Sequence, residues 1–327
     1  MPDTPQFSEA KRTLLEKYLR GDLPRTLTTT GAVTQRAQES PEPLSHTGSR
    51  TPVMAIQSGG SKRPFFFLHV HWQGGAFYCF TLAHDLGSDQ PFYMLEPYSF
   101  DGLLVPPTLE AMAAAYIEAL RAVQPEGPYL LGGFCGGGLL AYEIAQQLRA
   151  EGQAVDLLVL LDPWAGPIQL IRLVGSCVRR IGNLIRLGPA KQLDWFLRLR
   201  YVYQVLRRSQ DEDTRYVDRL IRRWLDENPQ RYLLIPTAEA LRQDWMGIFS
   251  WMVSDYVPHQ YPGKVTYFWA SEKPGSRRMW WGEVAETEDE EVYVIPGKHM
   301  TLVTEHIHDL TEQLRVCLSK AQAAVSS

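Results

Sequence analysis

Runs of consecutive apolar residues recur along the chain, separated by stretches whose apolar positions return every three or four residues. Phe65 to Val70, Pro91 to Leu95, Tyr129 to Gly132, Leu157 to Leu161, Lys264 to Ala270 and Glu291 to Ile295 read as strands. Several are apolar throughout rather than alternating, so both of their faces are expected to be covered. Between them, Ala76 to Leu86, Leu109 to Gln124 and Gly138 to Glu151 carry the helical period. Met112, Tyr116, Ile117 and Leu120 fall on one stripe, and Leu140, Ile144 and Leu148 on another. A last helix is expected from about Glu305 to Ala321. Strands alternating with helices predict an α/β fold, a mostly parallel central sheet with helices on both faces.

Three segments depart from this rhythm. Phe7 to Arg20 reads as a short amphipathic helix capped by Ser8, with Leu14, Leu15, Tyr18 and Leu19 on one face, stopped by Gly21 and Pro24. Leu27 to Lys62 is rich in Thr, Ser, Pro, Gln and Gly and reads as a linker, of which Pro52 to Gln57 could pair as an edge strand. From about 167 to 262 the strand texture vanishes and the pattern is helical. The expected organisation is an N-terminal helical segment over 1–26, a linker over 27–62 and one sheet domain over 63–323 with a helical insertion.

Composition adds boundaries. With 45% hydrophobic and 21% charged residues, the chain can bury an ample core, and a net charge of -4 argues against a nucleic-acid binder. The polar start and the shortness of every apolar run predict no leader and no membrane span, hence a cytoplasmic enzyme. The four cysteines, Cys79, Cys135, Cys177 and Cys317, lack the paired spacing of a metal or redox site. Three of them read as small hydrophobes.

Cys135 reads otherwise. It sits in Gly132-Gly133-Phe134-Cys135-Gly136-Gly137-Gly138, between an expected strand and an expected helix. This matches the G-x-S-x-G pattern of a nucleophile elbow with cysteine in place of serine; a glycine-rich turn around an inert cysteine and a phosphate-cradling loop are the other readings, the latter weakened because no Lys-Ser/Thr follows the glycines. Glycines two before and two after the nucleophile allow neighbouring backbone to pass close by. The thiolate is the reactive form of cysteine, and the start of a helix favours it. The backbone N–H of Gly136 would face a developing oxyanion. Asp162 ends the strand Leu157 to Leu161, and His299 lies in a loop just past the last strand. Nucleophile, acid and histidine thus occur in the order the α/β-hydrolase fold uses. Glu272, after the strand ending at Ala270, is the rival acid. The loop His71-Trp72-Gln73-Gly74-Gly75 suits a second oxyanion donor, from the N–H of Gln73 or a neighbour.

Together these pieces resemble the thioesterase domain of nonribosomal peptide and polyketide synthetases, over about Pro64 to Ala321. The resemblance rests on the elbow, Gly297-Lys298-His299, Leu161-Asp162-Pro163, the His71 to Gly75 loop, Gln90-Pro91-Phe92-Tyr93 and Glu126-Gly127-Pro128-Tyr129. It implies an α/β-hydrolase with a helical lid, and places the acid at Asp162 rather than Glu272. It further implies an acyl or peptidyl carrier protein as partner and a substrate carried as a phosphopantetheine thioester, with no cofactor or metal of the enzyme's own. The expected activity is that of a thioesterase or acyltransferase that holds the acyl group on Cys135 and passes it to water, an amine or another thiol. Two features depart from the family pattern: cysteine replaces the usual serine, and Trp72-Gln73 replaces the usual Pro-Ala of the first loop. Hydrolysis of small esters or lactones, and an interaction module without catalysis, are the competing readings.

The insertion carries one more signal. Ile168 to Arg231 has twice as many basic as acidic residues in an otherwise acidic chain. Arg172, Arg179, Arg180, Arg186, Arg207, Arg208, Arg222 and Arg223 stand out, and either a solvated helical face or a surface for an acidic carrier fits them. Trp195, Phe196, Trp245, Phe249 and Trp251 either fill the lid or line an acyl channel.

Overall fold

The computed structural model describes residues 53–69, 76–100, 102–164, 169–206, 236–272, 281 and 290–323. The expected helix over 1–26, most of the expected linker and the His71 to Gly75 loop lie outside these residues. So do Arg207, Arg208, Arg222 and Arg223.

Seven strands form one sheet: β1 (Val53–Gln57), β2 (Phe65–Leu68), β3 (Phe92–Leu95), β4 (Tyr129–Phe134), β5 (Val155–Leu161), β6 (Val265–Ala270) and β7 (Glu290–Ile295). Their order is β1-β3-β2-β4-β5-β6-β7. Only β1 runs antiparallel to its neighbour. This is the mostly parallel α/β sheet expected from the alternation of strands and helices, and it is consistent with the α/β-hydrolase fold that the resemblance implies. Residues 53–57 of the segment read as linker are therefore a sheet edge. Their backbone pairs with β3, and their side chains are largely half-buried.

The apolar runs behave as period-two elements buried on both sides. Phe66 and Leu68 enter the core beneath α2 (Leu109–Val123) and α3 (Gly136–Ala150). Phe65 and Phe67 enter the opposite core, beneath α1 (Phe77–Leu86) and α8 (Ile307–Ala323). Phe65, Phe66 and Phe67 are fully buried, and each such side chain contributes about 1.5–3 kcal/mol relative to exposure. Thr108 caps α2, its hydroxyl accepting from Ala111 N at 3.2 Å.

Between β5 and β6 lie α4 (Gln169–Leu184), α5 (Pro189–Leu206), α6 (Ala238–Leu241) and α7 (Trp245–Met252). They share a small core of their own around Leu193, Phe196, Leu197, Leu241 and Trp251. α7 serves two cores. Phe249 packs in the sheet-side core while Trp251, two residues on and so on the other side of the helix, packs in the lid core. Among the described residues no helix is long and apolar enough to cross a membrane.

Candidate active site

Register brings the site residues to one sheet edge. Gly133 of β4 pairs with Leu68 of β2 and with Leu160 of β5, and Leu161 of β5 pairs with Phe268 of β6. Parallel neighbours of matched length end together, so the residues that follow β4 and β5, Cys135 and Asp162, emerge side by side. Cys135 N donates to Leu161 O at 3.1 Å, and Asp162 N donates to Phe268 O at 2.7 Å. Trp164 N closes the turn onto Cys135 O at 3.0 Å.

Cys135 has φ 56° and ψ -124° and is the N-cap of α3. A non-glycine residue at positive φ is uncommon and held only where its surroundings impose it. Here the turn packs so closely that side chains are excluded on either side of it. A Cβ on Gly133 would collide with Gly137 O, and one on Gly137 with Leu68 O. The two glycines of the elbow are therefore there for clearance. Asp162, also at positive φ (37°), is 3% exposed.

His299 reaches the same point from the loop after β7. Its Nδ1 is hydrogen-bonded to Asp162 Oδ2, and a side-chain hydrogen bond joins it to Cys135. With Nδ1 committed to Asp162, Nε2 is the nitrogen left for the sulfur. Burial alone would push the imidazole down. The negative charge of Cys135, the hydrogen bonds to Asp162 and Cys135 and the charge of Asp162 outweigh it and raise His299 to about 9. The ring also stacks on Phe134, centroids 4.6 Å apart and 18° between planes. Phe134 is the unspecified position of the elbow pattern, so sequence reasoning had no reason to single it out. Tyr78, edge-on to Phe134 at 5.7 Å, is a second such neighbour.

The structure thus brings Cys135, His299 and Asp162 together, with Gly136 opening the helix at the sulfur. Gln73 lies outside the described residues. Glu272 is exposed, and its N–H donates to Gly297 O at 2.9 Å. The other cysteines differ in kind. Burial pushes the thiols of Cys79 and Cys317 up, whereas Cys177 is exposed on α4 and is no core residue. Among the described residues no group of three His, Cys, Asp or Glu side chains is placed to hold a metal ion.

Residues 66–169 match the thioesterase domain family. Atromentin synthetase nps3 of Serpula lacrymans is 25% identical over 269 residues, which are 77% of this chain and 26% of that protein. A dimodular nonribosomal peptide synthase of Bacillus subtilis is 39% identical over 114 residues, 34% of this chain and 5% of that one. The chain therefore spans only a small part of the length of these relatives. Among solved structures, the NocB thioesterase domain from the nocardicin cluster superposes with a TM-score of 0.52 at 23% identity, covering 82% of this chain and 98% of that one. At that identity it speaks for the fold alone. The part of this chain that resembles the thioesterase domain family, residues 66–169, contributes β3, β4 and β5 and the elbow at Cys135 to the sheet.

Proposed function

We propose that the chain is a thioester-cleaving enzyme that takes an acyl group from the phosphopantetheine arm of a carrier protein onto Cys135. It then releases that group to water, an amine or a second thiol. The observation that carries this reading is the sulfur at the strained tip of the elbow, hydrogen-bonded to an imidazole whose far nitrogen is held by buried Asp162.

In the first step the Cys135 thiolate attacks the thioester carbonyl. A new C–S bond forms, and the old one breaks to release the pantetheine thiolate, which takes its proton from the His299 imidazolium. The N–H of Gly136, at the start of α3, stabilises the oxyanion. Acylation removes the negative charge that most strongly raises His299, so the imidazole becomes a competent base when the second step requires one. It accepts the proton of the incoming nucleophile as the acyl–sulfur bond breaks. Asp162 keeps the ring oriented and supports its charged form. Because thioester exchange with a thiol is nearly balanced, a sulfur nucleophile suits transfer as well as hydrolysis, and no bound cofactor is required.

The test is intact-protein mass spectrometry after mixing with acyl-loaded carrier domain. A mass gain equal to the acyl group is expected in the native enzyme and absent in Cys135→Ala. Absence of both adduct and turnover across a panel of aminoacyl and fatty-acyl carrier thioesters would overturn the assignment. Turnover of small esters or lactones with indifference to carrier would replace it with a general hydrolase.

A further inference from the structure

Helix α4 buries its small side and shows its large one. Ile171, Gly175, Val178 and Gly182 face inward. The contact is close at both glycines: a Cβ on Gly175 would lie 2.5 Å from Ser254 Oγ, and one on Gly182 would lie 2.7 Å from the Gln192 side chain. Outward, Leu170, Leu173, Cys177, Ile181 and Leu184 follow one another at helical spacing along a single stripe. Leu173 is 59% exposed, Ile181 53% and Leu184 83%. Single exposed apolar residues are ordinary, but an ordered row of them marks an interaction surface.

A groove of about 670 Å³ runs beside this stripe, where Arg172, Arg179 and Arg180 face Ser254, Asp255 and Val257. Arg179 is fixed in place. It donates to Ser254 Oγ at 2.5 Å and Trp251 O at 2.6 Å, pairs with Asp255 at 2.7 Å and lies 3.6 Å over the Trp251 ring. Arg172 donates to Tyr256 O at 3.0 Å. Asp255 is the one acidic side chain in this lining, against three arginines. From 169 to 188 the chain has four arginines and no acidic residue.

The surface therefore pairs an apolar seam with a basic border on one side, which fits an acidic amphipathic helix. A second copy of the chain fits poorly, since it would oppose arginines to arginines. A bilayer also fits poorly, because an interfacial helix sets cations along both borders of a broad apolar face. Here half of that face is already buried in the lid. A series of contacts through α7 links the surface to the proposed nucleophile. Phe249 of α7 rests on Trp164 at 5.3 Å, Trp164 N is bonded to Cys135 O, and Trp251 on the other side of α7 lies beneath Arg179.

We propose that the outer face of α4, with its arginine groove, is where the carrier domain docks. An acidic helix of the carrier lies along Leu173, Ile181 and Leu184, and its carboxylates or the arm's phosphate meet Arg180. This rests on the function proposed above. The experiment measures the Kd of a peptidyl carrier domain bearing an amide-linked, non-cleavable acyl phosphopantetheine. It compares the full native chain with Arg180→Glu and with Ile181→Ser combined with Leu184→Ser, each confirmed folded by circular dichroism. Weakening of at least tenfold in both variants is expected. The ratio of kcat/KM on carrier-bound thioester to kcat/KM on a small pantetheine thioester is expected to fall by a similar factor. An unchanged Kd, or no measurable carrier binding by the native chain, overturns the proposal. So does native binding to phosphatidylglycerol vesicles that the substitutions abolish while carrier binding persists. Because binding is read without turnover, failure of the docking face is separable from failure of the chemistry.

Discussion

The charge state of His299 is set by its neighbours rather than by its burial. Desolvation opposes the imidazolium, yet Cys135 and Asp162 carry it to about 9. Among the raising influences the charge of Cys135 is the largest, so Cys135→Ala should bring the His299 titration, followed by NMR of its ring protons, well below 9. An unchanged titration would show that sulfur and ring do not interact. The linkage has a definite sign. A histidine raised on folding contributes stability in full below its ordinary value of about 6.5, and that contribution fades as pH rises through about 9. Native protein should therefore lose stability relative to Cys135→Ala across that window, measured by urea unfolding.

At the scale of single elements, α7 is the helix on which the lid depends. It begins at Asp244, whose Oδ1 accepts from Gly247 N at 3.0 Å and whose Oδ2 pairs with the nearly buried guanidinium of Arg200 on α5. Asp244→Ala removes the cap, worth about 1 kcal/mol, and leaves a buried charge without its carboxylate, which is the costlier loss. A destabilisation of about 2–4 kcal/mol is expected from the two together. Thermal unfolding should show it, and Asp244→Asn should recover part of it, since the amide oxygen still caps the helix. A loss under about 1 kcal/mol would mean that neither contact matters.

Across the whole molecule, the segment that leaves the lid is fastened to the helix that starts at Cys135. Tyr256 OH donates to Glu143 Oε2 at 2.6 Å, and Gln147 Nε2 donates to Oε1 at 2.7 Å. Burial raises Glu143, and the bonds from Tyr256 and Gln147 counter part of that rise. Tyr256→Phe should cost about 1.5–3 kcal/mol at neutral pH, the range for a hydrogen bond to a charged group. Since the folded carboxyl titrates above its ordinary value, the favourable neutral form dominates in acid and its advantage disappears as pH rises. The variant's deficit should accordingly be smaller at pH 4.5 than at pH 7.5, by urea unfolding at each. A deficit independent of pH would assign the loss to packing.

Local patterning along the chain determined most of the architecture. Unbroken apolar runs such as Phe65 to Leu68 and Leu157 to Leu161 specify doubly covered strands, because no amphipathic surface element can carry them. The elbow was legible because its glycines answer a clearance requirement that is itself local. The convergence of Cys135, Asp162 and His299 was foreseeable only through chain order, since 137 residues separate Asp162 from His299 and strand register alone brings them together. What tertiary structure decided was everything set by partners distant in sequence. Phe134 stacks on the imidazole, and Trp164 closes on Cys135. The lid aromatics divide too, Phe249 toward the sheet, Trp251 toward the lid and Trp195 toward solvent. α4, helical by pattern, turns its leucines outward because two glycines let its narrow side pack against Ser254 and Gln192. Periodicity announces that a helix has an apolar face, but only packing determines whether that face is buried.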